Sequence, residues 1–191
     1  MTGGLVQSVL VPGPTNSYNY TYSTITRNFT LAATGVGNVA GCPSSLPSQT
    51  SSVRVVSAIT LPNSKQYQFS YDPIYGLLNK VTYPTGATVT YTWGVDPASE
   101  EMYLKVPKTV CNYVHSWPVI KKRIVTFDGI TPAQEQDFAY TTIWGTGSQA
   151  DLWITKTTTV TTKDLLRSGQ PGFVDTYTYI PLSVDGHTQI P

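Results

Sequence analysis

The sequence predicts an all-β protein built of successive antiparallel hairpins, and three observations lead to that prediction. The chain has 29 threonines, 13 tyrosines and 4 tryptophans, and β-branched and aromatic side chains favour pleated strands. Two stretches, Ile59–Asp72 and Val81–Gly94, have the pattern of one hairpin written twice. Short runs with period-two alternation are separated by Pro, Gly and Asp-Gly turn signals, which is typical of hairpins rather than helices. We therefore expect a large twisted sheet, either open or curled.

We treat residues 1–191 as a single β-sheet domain, because a chain of this length can bury one core. Residues 1–51 hold the N-terminal strands and a loop rich in Gly, Ser and Pro. Residues 52–94 hold the two hairpin repeats. Residues 95–191 hold further degenerate hairpins and a C-terminal tail.

The N-terminal part is predicted to contain a short strand at Leu5–Val11 and a longer strand or strand pair in which Tyr18, Tyr20 and Tyr22 alternate with small polar residues. Residues 33–51 are rich in turn formers and are predicted to be the longest loop.

The central repeat has an offset of 22 residues, which aligns Pro62 with Pro84 and Phe69 with Tyr91. Each copy is predicted to be a strand, a turn that begins with proline, and a return strand. Gly86 supplies the positive φ that a tight hairpin turn requires. Units that repeat at such a period cannot bury their apolar face alone, so they are expected to stack side by side.

The C-terminal part is predicted to contain further strands, separated by prolines and by the Asp128-Gly129 turn signal. A polar excursion precedes them, and the tail from Pro181 is expected to be frayed. Thr131–Gln136 is expected to make the connection after Asp128-Gly129 longer than a minimal hairpin turn. The predicted strands are Met102–Val106, Thr109–His115, Val119–Phe127, Phe138–Trp144, Leu152–Thr162 and Val174–Ile180. This gives about ten to twelve strands in the whole chain.

The central repeat resembles the YD-repeat of Rhs-type proteins. The resemblance lies in Phe69-Ser70-Tyr71-Asp72, in Tyr75-Gly76-Leu77 followed by Val81-Thr82-Tyr83-Pro84-Thr85-Gly86, and in Val89-Thr90-Tyr91-Thr92-Trp93. The first copy departs from the pattern at Asn63-Ser64, and the second has Trp93-Gly94 in place of Tyr-Asp. The resemblance implies a sheet that winds into a hollow shell in bacterial surface or toxin-shell proteins. It therefore favours a structural or encapsulating scaffold that is a fragment of a larger secreted or cell-surface protein.

Charge and hydropathy argue against nucleic-acid binding and against a membrane-spanning segment. Charged residues make up 12% of the chain and the net charge is +1, so no basic stripe is available for nucleic acid. No apolar run approaches the roughly 20 residues that span a bilayer, so no membrane-spanning segment is predicted. The low charge and two cysteines favour a secreted or cell-surface location, with the export signal expected outside this chain.

The chemistry-bearing residues are few, and no cofactor and no metal ion are predicted. Cys42 and Cys111 are the only candidates for a disulfide, with two unrelated thiols as the alternative. His115, Glu100, Glu101 and Asp128 are the candidates for catalysis if the protein is a hydrolase that acts on a glycan or ester in a loop-lined cleft. Other carboxylates, Glu135 and Asp137, were available for the same role.

Partners are expected at sheet edges and aromatic faces. An open strand edge recruits another strand, so we expect contact with other repeats of a parent protein or a homo-oligomer. The tyrosines at 18, 20 and 22 and at 177 and 179 line single faces of strands. Such rings could bind carbohydrate weakly, although aromatic pairs also stabilise sheets without a ligand.

Overall fold

The structure is a computed structural model that describes residues 4–29, 33–36, 49–96, 98, 101–105, 112–146, 153–167, 169, 172–184 and 187–190. It confirms the all-β prediction, since these residues form fifteen strands and no helix. The strands are β1 (Ser8–Val9), β2 (Tyr18–Phe29), β3 (Ala33–Val36), β4 (Gln49–Thr60), β5 (Gln66–Tyr71), β6 (Leu78–Thr82), β7 (Thr88–Val95), β8 (Glu101–Lys105), β9 (Asn112–Ser116), β10 (Pro118–Thr126), β11 (Pro132–Trp144), β12 (Trp153–Asp164), β13 (Phe173–Tyr179), β14 (Leu182–Val184) and β15 (His187–Ile190).

Ten of these strands form one antiparallel sheet in the order β1-β2-β4-β5-β6-β7-β10-β11-β12-β13. Strands that follow one another along the chain are mostly neighbours in the sheet, as expected for stacked hairpins. The sheet is open, with β1 at one edge and β13 at the other. The chain leaves this sheet between β2 and β4 and again between β7 and β10. The two excursions meet in a three-stranded sheet of order β3-β9-β8.

The two predicted hairpins have the same backbone geometry at an offset of 22 residues. In the first turn, Leu61 N donates to Lys65 O at 2.8 Å and Ser64 N donates to Leu61 O at 2.9 Å. In the second turn, the equivalent bonds join Tyr83 N to Ala87 O at 2.8 Å and Gly86 N to Tyr83 O at 2.9 Å. Gly86 has φ 94° and Ser64 has φ 65°. The predicted positive φ at Gly86 is therefore confirmed, and Ser64 adopts the same left-handed conformation as a non-glycine residue.

The turn between β5 and β6 packs against the far half of β2. Asn28 N donates to Ile74 O at 3.0 Å, and the rings of Phe29 and Tyr75 meet edge to face with centroids 5.4 Å apart. β5 and β6 are not neighbours of β2 in the sheet, so the contact joins parts of the sheet that are not paired as strands.

One face of the ten-stranded sheet is aromatic across most of its width. Residues that are directly paired across two strands lie on the same face of the sheet, and so do alternate residues of one strand. The strand registers therefore determine which residues lie on each face. We call this surface the aromatic face, and its aromatic members include Tyr20, Tyr67, Phe69, Tyr91, Phe138, Tyr140, Phe173, Tyr177 and Tyr179.

The opposite face is dominated by threonine and carries the sheet's main cluster of charges. We call it the threonine face, and its threonines include Thr82, Thr88, Thr90, Thr92, Thr126, Thr141, Thr157, Thr159, Thr161, Thr176 and Thr178. Threonines in adjacent strands pair directly at several positions, for example Thr82 with Thr88 and Thr88 with Thr126. The division into an aromatic and a threonine face explains the unusual composition of the chain.

Few described side chains are buried. Four apolar residues (Val89, Ala133, Trp153 and Val160) and two threonines (Thr88 and Thr126) are buried. A compact monomer of this mass, 20.8 kDa, would expose about 9,000 Å², whereas the chain exposes 12601 Å². The main sheet therefore resembles a single layer in which both faces remain largely accessible.

Three local predictions were wrong. Residues 33–51 include β3 and the start of β4, although they were predicted to be loop. The tail beyond Pro181 contains β14 and β15, which pair with each other rather than fray. The connection after Asp128-Gly129 is shorter than predicted, because β11 already begins at Pro132. In the first case the strand depends on a distant partner, since β3 pairs with β9.

Candidate functional site

Asp128, one of the predicted catalytic residues, closes the turn between β10 and β11. Its Oδ1 accepts hydrogen bonds from Ile130 N at 2.9 Å and Thr131 N at 2.7 Å. These donors lower the pKa of the Asp128 carboxyl to about 2, because they stabilise the ionised form. A carboxylate held in this state is a poor general acid near neutral pH. Its role is that of a turn cap.

The same arrangement recurs at three other aspartates. Asp72 accepts from Ile74 N at 2.8 Å, Asp96 from Ala98 N at 2.9 Å and Asp164 from Leu166 N at 3.0 Å. In each case the carboxylate binds the amide two residues later, which is the local bond that aspartate forms in turns. Four of the chain's acidic residues thus close turns.

Glu101 and His115 lie in the three-stranded sheet. Glu101 begins β8, where its backbone pairs with Ser116, and His115 pairs with Met102. The two candidates therefore occupy neighbouring register positions on adjacent strands. Glu100, the fourth candidate, lies outside the described residues.

The predicted disulfide between Cys42 and Cys111 also falls outside the described residues. The neighbouring backbone does bring the two segments together, because Val36 pairs with Asn112, the residue that follows Cys111. The disulfide stays a prediction.

A cluster of four charges occupies the threonine face on three adjacent strands. Lys122 of β10 lies 2.8 Å from Glu135 and 3.1 Å from Asp137, both on β11. Lys163 of β12 lies 2.9 Å from Glu135 and 2.6 Å from Asp137. Each carboxylate is thus shared by two ammonium groups.

The pKa values of this cluster all move in the direction that keeps its members ionised. Hydrogen bonds from Lys122 and Lys163 lower the pKa of Glu135 and of Asp137. Hydrogen bonds to the two carboxylates raise the pKa of both lysines. Glycoside hydrolysis needs one carboxyl whose pKa is raised so that it can donate a proton. This cluster instead has the properties of a structural ion-pair network.

A groove of about 410 Å³ opens on the aromatic face at the end of the sheet where Asp128 lies. Two phenylalanine rings, Phe127 and Phe173, border it, and each is 67% exposed. The remaining lining residues are Ala133, Gln134, Thr162, Asp164, Leu166 and Arg167. Exposed rings beside polar groups would suit a small polar ligand with an apolar face.

The polar groups of the groove are held by local bonds. Asp164 lies 3.5 Å from the guanidinium of Arg167, and the side-chain carbonyl of Gln134 accepts a bond from Arg123 at 3.3 Å. Sequence reasoning did not find this groove, because its residues come from three strands and two turns. The one local signal was the pair of phenylalanines placed at strand ends.

Neither a metal-binding cluster nor a helix that could cross a membrane is found among the described residues. Among them, no group of three or more His, Cys, Asp or Glu side chains is arranged to hold a metal ion. In the same part of the chain, no helix is long and apolar enough to cross a membrane.

The described chain therefore belongs to the class of open, antiparallel β-sheet proteins with one aromatic face. Comparison with family models, curated proteins and solved structures found no match to any of them. The resemblance to the YD-repeat stays a prediction that rests on the motif residues alone.

Proposed function

We propose that this chain is a structural β-repeat scaffold, a fragment of a larger secreted or cell-surface protein of the Rhs/YD-repeat type. The observation that carries the proposal is the open ten-stranded sheet, in which consecutive hairpins stack side by side. A sheet of this kind grows by adding hairpins at an edge, where each new strand pairs with the backbone of the last.

The small core supports the same proposal. Few of the described side chains are buried and the accessible surface is large, so this part of the chain gains limited stability from its own burial. An encapsulating shell would cover one face with its contents or with further turns of sheet. The aromatic face is the face that gains most from such cover, because it carries the larger apolar side chains.

The coding sequence on either side of this chain tests the scaffold proposal. We expect further units with a proline-led turn and a closing aromatic-x-aromatic at a spacing near 22 residues, the offset of the two units here. Protease treatment of intact cells, followed by detection with an antibody against this chain, tests the location. Flanking regions that lack such units, together with full protection from the protease, would refute the proposal.

The charge states of three candidate carboxylates do not favour the hydrolase alternative. The pKa values of Asp128, Glu135 and Asp137 are all lowered, and none of the three has the raised value of a general acid.

The groove beside Phe127 favours weak carbohydrate binding as a second candidate function. The apolar face of a sugar ring can pack on an exposed aromatic ring, while nearby amide, hydroxyl and carboxylate groups bind its hydroxyls. Phe127→Ala is expected to weaken the binding of soluble oligosaccharides in a glycan array and in calorimetry. Ile130→Ala is the matched control, because Ile130 lies in the same turn, is 85% exposed and does not line the groove. Equal binding by both variants would exclude the groove as the site.

A further inference from the structure

The two edges of the ten-stranded sheet differ in how well they are protected. At the first edge, β1 consists of two residues, Ser8 and Val9, followed closely by prolines at positions 12 and 14. β2 extends beyond β1 on the same side, and the turn between β5 and β6 contacts its far end, where Asn28 N donates to Ile74 O at 3.0 Å. Short strands and prolines are the usual protection against edge-to-edge pairing. The β13 edge consists of seven residues, Phe173–Tyr179, with no proline and no lysine. β13 is therefore an uninterrupted edge strand that can accept another strand along its whole length.

The chain's own continuation does not cover this edge in the described residues. Only Ile180 and Pro181 separate β13 from β14, yet β14 pairs with β15 in a separate two-stranded sheet. Large side chains along β13 stay exposed, among them Phe173, Tyr177 and Tyr179 on the aromatic face.

We infer that β13 pairs antiparallel with β13 of a second copy of this chain, about a two-fold axis at Thr176. This inference rests on the proposed scaffold function. It adds the identity of the partner that extends the sheet. In this register Phe173 lies opposite Tyr179 of the second copy, and Tyr179 lies opposite its Phe173. Asp175 lies opposite Tyr177, and Thr176 lies opposite itself. All seven residues are paired, and the aromatic faces of both copies join on one side.

Charge and side-chain pattern select this register over its neighbours. A shift by one residue places the aromatic face of one copy beside the threonine face of the other. A two-residue shift toward the N-terminus sets Asp175 directly opposite Asp175 of the second copy, and like charges in opposite positions are destabilising. A two-residue shift toward the C-terminus sets Phe173 opposite Pro181, which has no N–H for the ladder. A parallel in-register pair also aligns the two aspartates.

The two-fold register contains aromatic pairs on both sides of its axis. Each Phe173–Tyr179 pair is expected to stabilise the dimer as much as an ordinary aromatic pair across two strands. Backbone hydrogen bonds between the two seven-residue strands add to this stabilisation. Because one strand pair buries less surface than a standard stable interface, association is expected to be concentration-dependent rather than permanent.

The first test is a cysteine cross-link with a matched control. Thr176→Cys places two thiols opposite each other across the axis, whereas Thr178→Cys places each thiol opposite Val174. Both residues are exposed and lie on the threonine face. On mild oxidation we expect a covalent dimer from T176C, with the bond mapped to position 176 by peptide analysis, and at least a tenfold lower yield from T178C. Equal yields from both variants, or no bond at position 176, would overturn the inferred register.

The second test needs no new covalent bond. Sedimentation of the unmodified chain should show a monomer–dimer equilibrium. Thr176→Lys should weaken it by tenfold or more, because two ammonium groups then face each other, and Thr178→Lys should weaken it less. An unmodified chain that stays monomeric up to its solubility limit would refute self-pairing. That result would leave the scaffold proposal to be judged on the flanking coding sequence.

Discussion

Gly129→Ala tests whether the turns at one end of the sheet are as tightly packed as the structure indicates. Gly129 has φ +82°, and a Cβ placed on it would lie 2.6 Å from the carbonyl oxygen of Gly86. Ordinary contact begins near 3.4 Å, so the turns would have to separate by 3.4 − 2.6 = 0.8 Å. The obstacle is backbone, which cannot rotate aside as a long side chain can. Separation of the turns would also strain the adjacent buried pair of Thr88 and Thr126.

The expected cost has two parts. The left-handed conformation costs an alanine about 1–2 kcal/mol, and a forced displacement in a packed region costs about 1–3 kcal/mol. A smaller gain of about 0.4–1 kcal/mol comes from the stiffer unfolded chain. The free energy of unfolding should therefore fall by roughly 2–4 kcal/mol for Gly129→Ala.

Gly86 supplies the matched control. It has φ +94°, yet nothing lies within 4 Å of the Cβ it would gain. Gly86→Ala therefore carries only the cost of the left-handed conformation. Once the gain from the stiffer unfolded chain is subtracted, the free energy of unfolding should fall by about 1 kcal/mol. Asparagine separates the two effects further, because it tolerates the left-handed region. Gly86→Asn should be nearly neutral, and Gly129→Asn should stay strongly destabilised by its Cβ.

Urea denaturation followed by tryptophan fluorescence measures all four variants. The midpoints should differ while the slope stays constant, since the surface exposed on unfolding does not change. If Gly129→Ala and Gly86→Ala agree within about 0.5 kcal/mol, the close approach of the two turns is wrong.

Three further predictions concern the threonine pair, the charge cluster and the cysteines. Thr126→Val removes the hydroxyl that lies 2.8 Å from the Thr88 hydroxyl. The free energy of unfolding should fall by about 1–3 kcal/mol, because the Thr88 hydroxyl is left buried without this partner. Adding Thr88→Val should lower it by less than Thr126→Val alone, because the shared hydrogen bond is already lost. The folded-state pKa values of Glu135 and Asp137 are lowered, so their stabilisation is complete above the ordinary values of 4.5 and 3.8 and is lost as the pH falls through the lower folded values. Acid titration of stability should show this loss, and Glu135→Gln should reduce it; identical curves would contradict the network. An oxidised sample should show no free thiol on denaturation, and reduction should remove about 4 kcal/mol of stability, whereas two titratable thiols would exclude the disulfide.

The hairpins could be predicted from sequence because their determinants are local. Proline and glycine at fixed positions specify the turns, and alternation on either side of each turn specifies the register. The equal hydrogen bonds at Leu61–Lys65 and Tyr83–Ala87 follow from that local pattern. Alternation also predicts two chemically different faces in each strand.

The three-stranded sheet could not be predicted in the same way. β3 contains Ala33-Thr34-Gly35-Val36, a weak strand former within a stretch of turn residues. It becomes a strand by pairing with β9, which lies about eighty residues later in the chain. The charge cluster has the same origin, because the lysines and carboxylates come from three strands whose order is a property of the whole fold.

The aspartates show how local chemistry can be mistaken for function. Asp128 was a candidate for catalysis because glycoside hydrolysis needs a pair of carboxylates, but its carboxylate binds the amides of its own turn. In a chain made of hairpins, every strand end is also a turn, so an acidic residue there already has a structural task. Chemistry that distinguishes one hairpin protein from another must then come from the surfaces the hairpins leave uncovered. In the described chain these are the aromatic face, the groove beside Phe127 and the free edge of β13, and they are the places where a partner would change stability and assembly together.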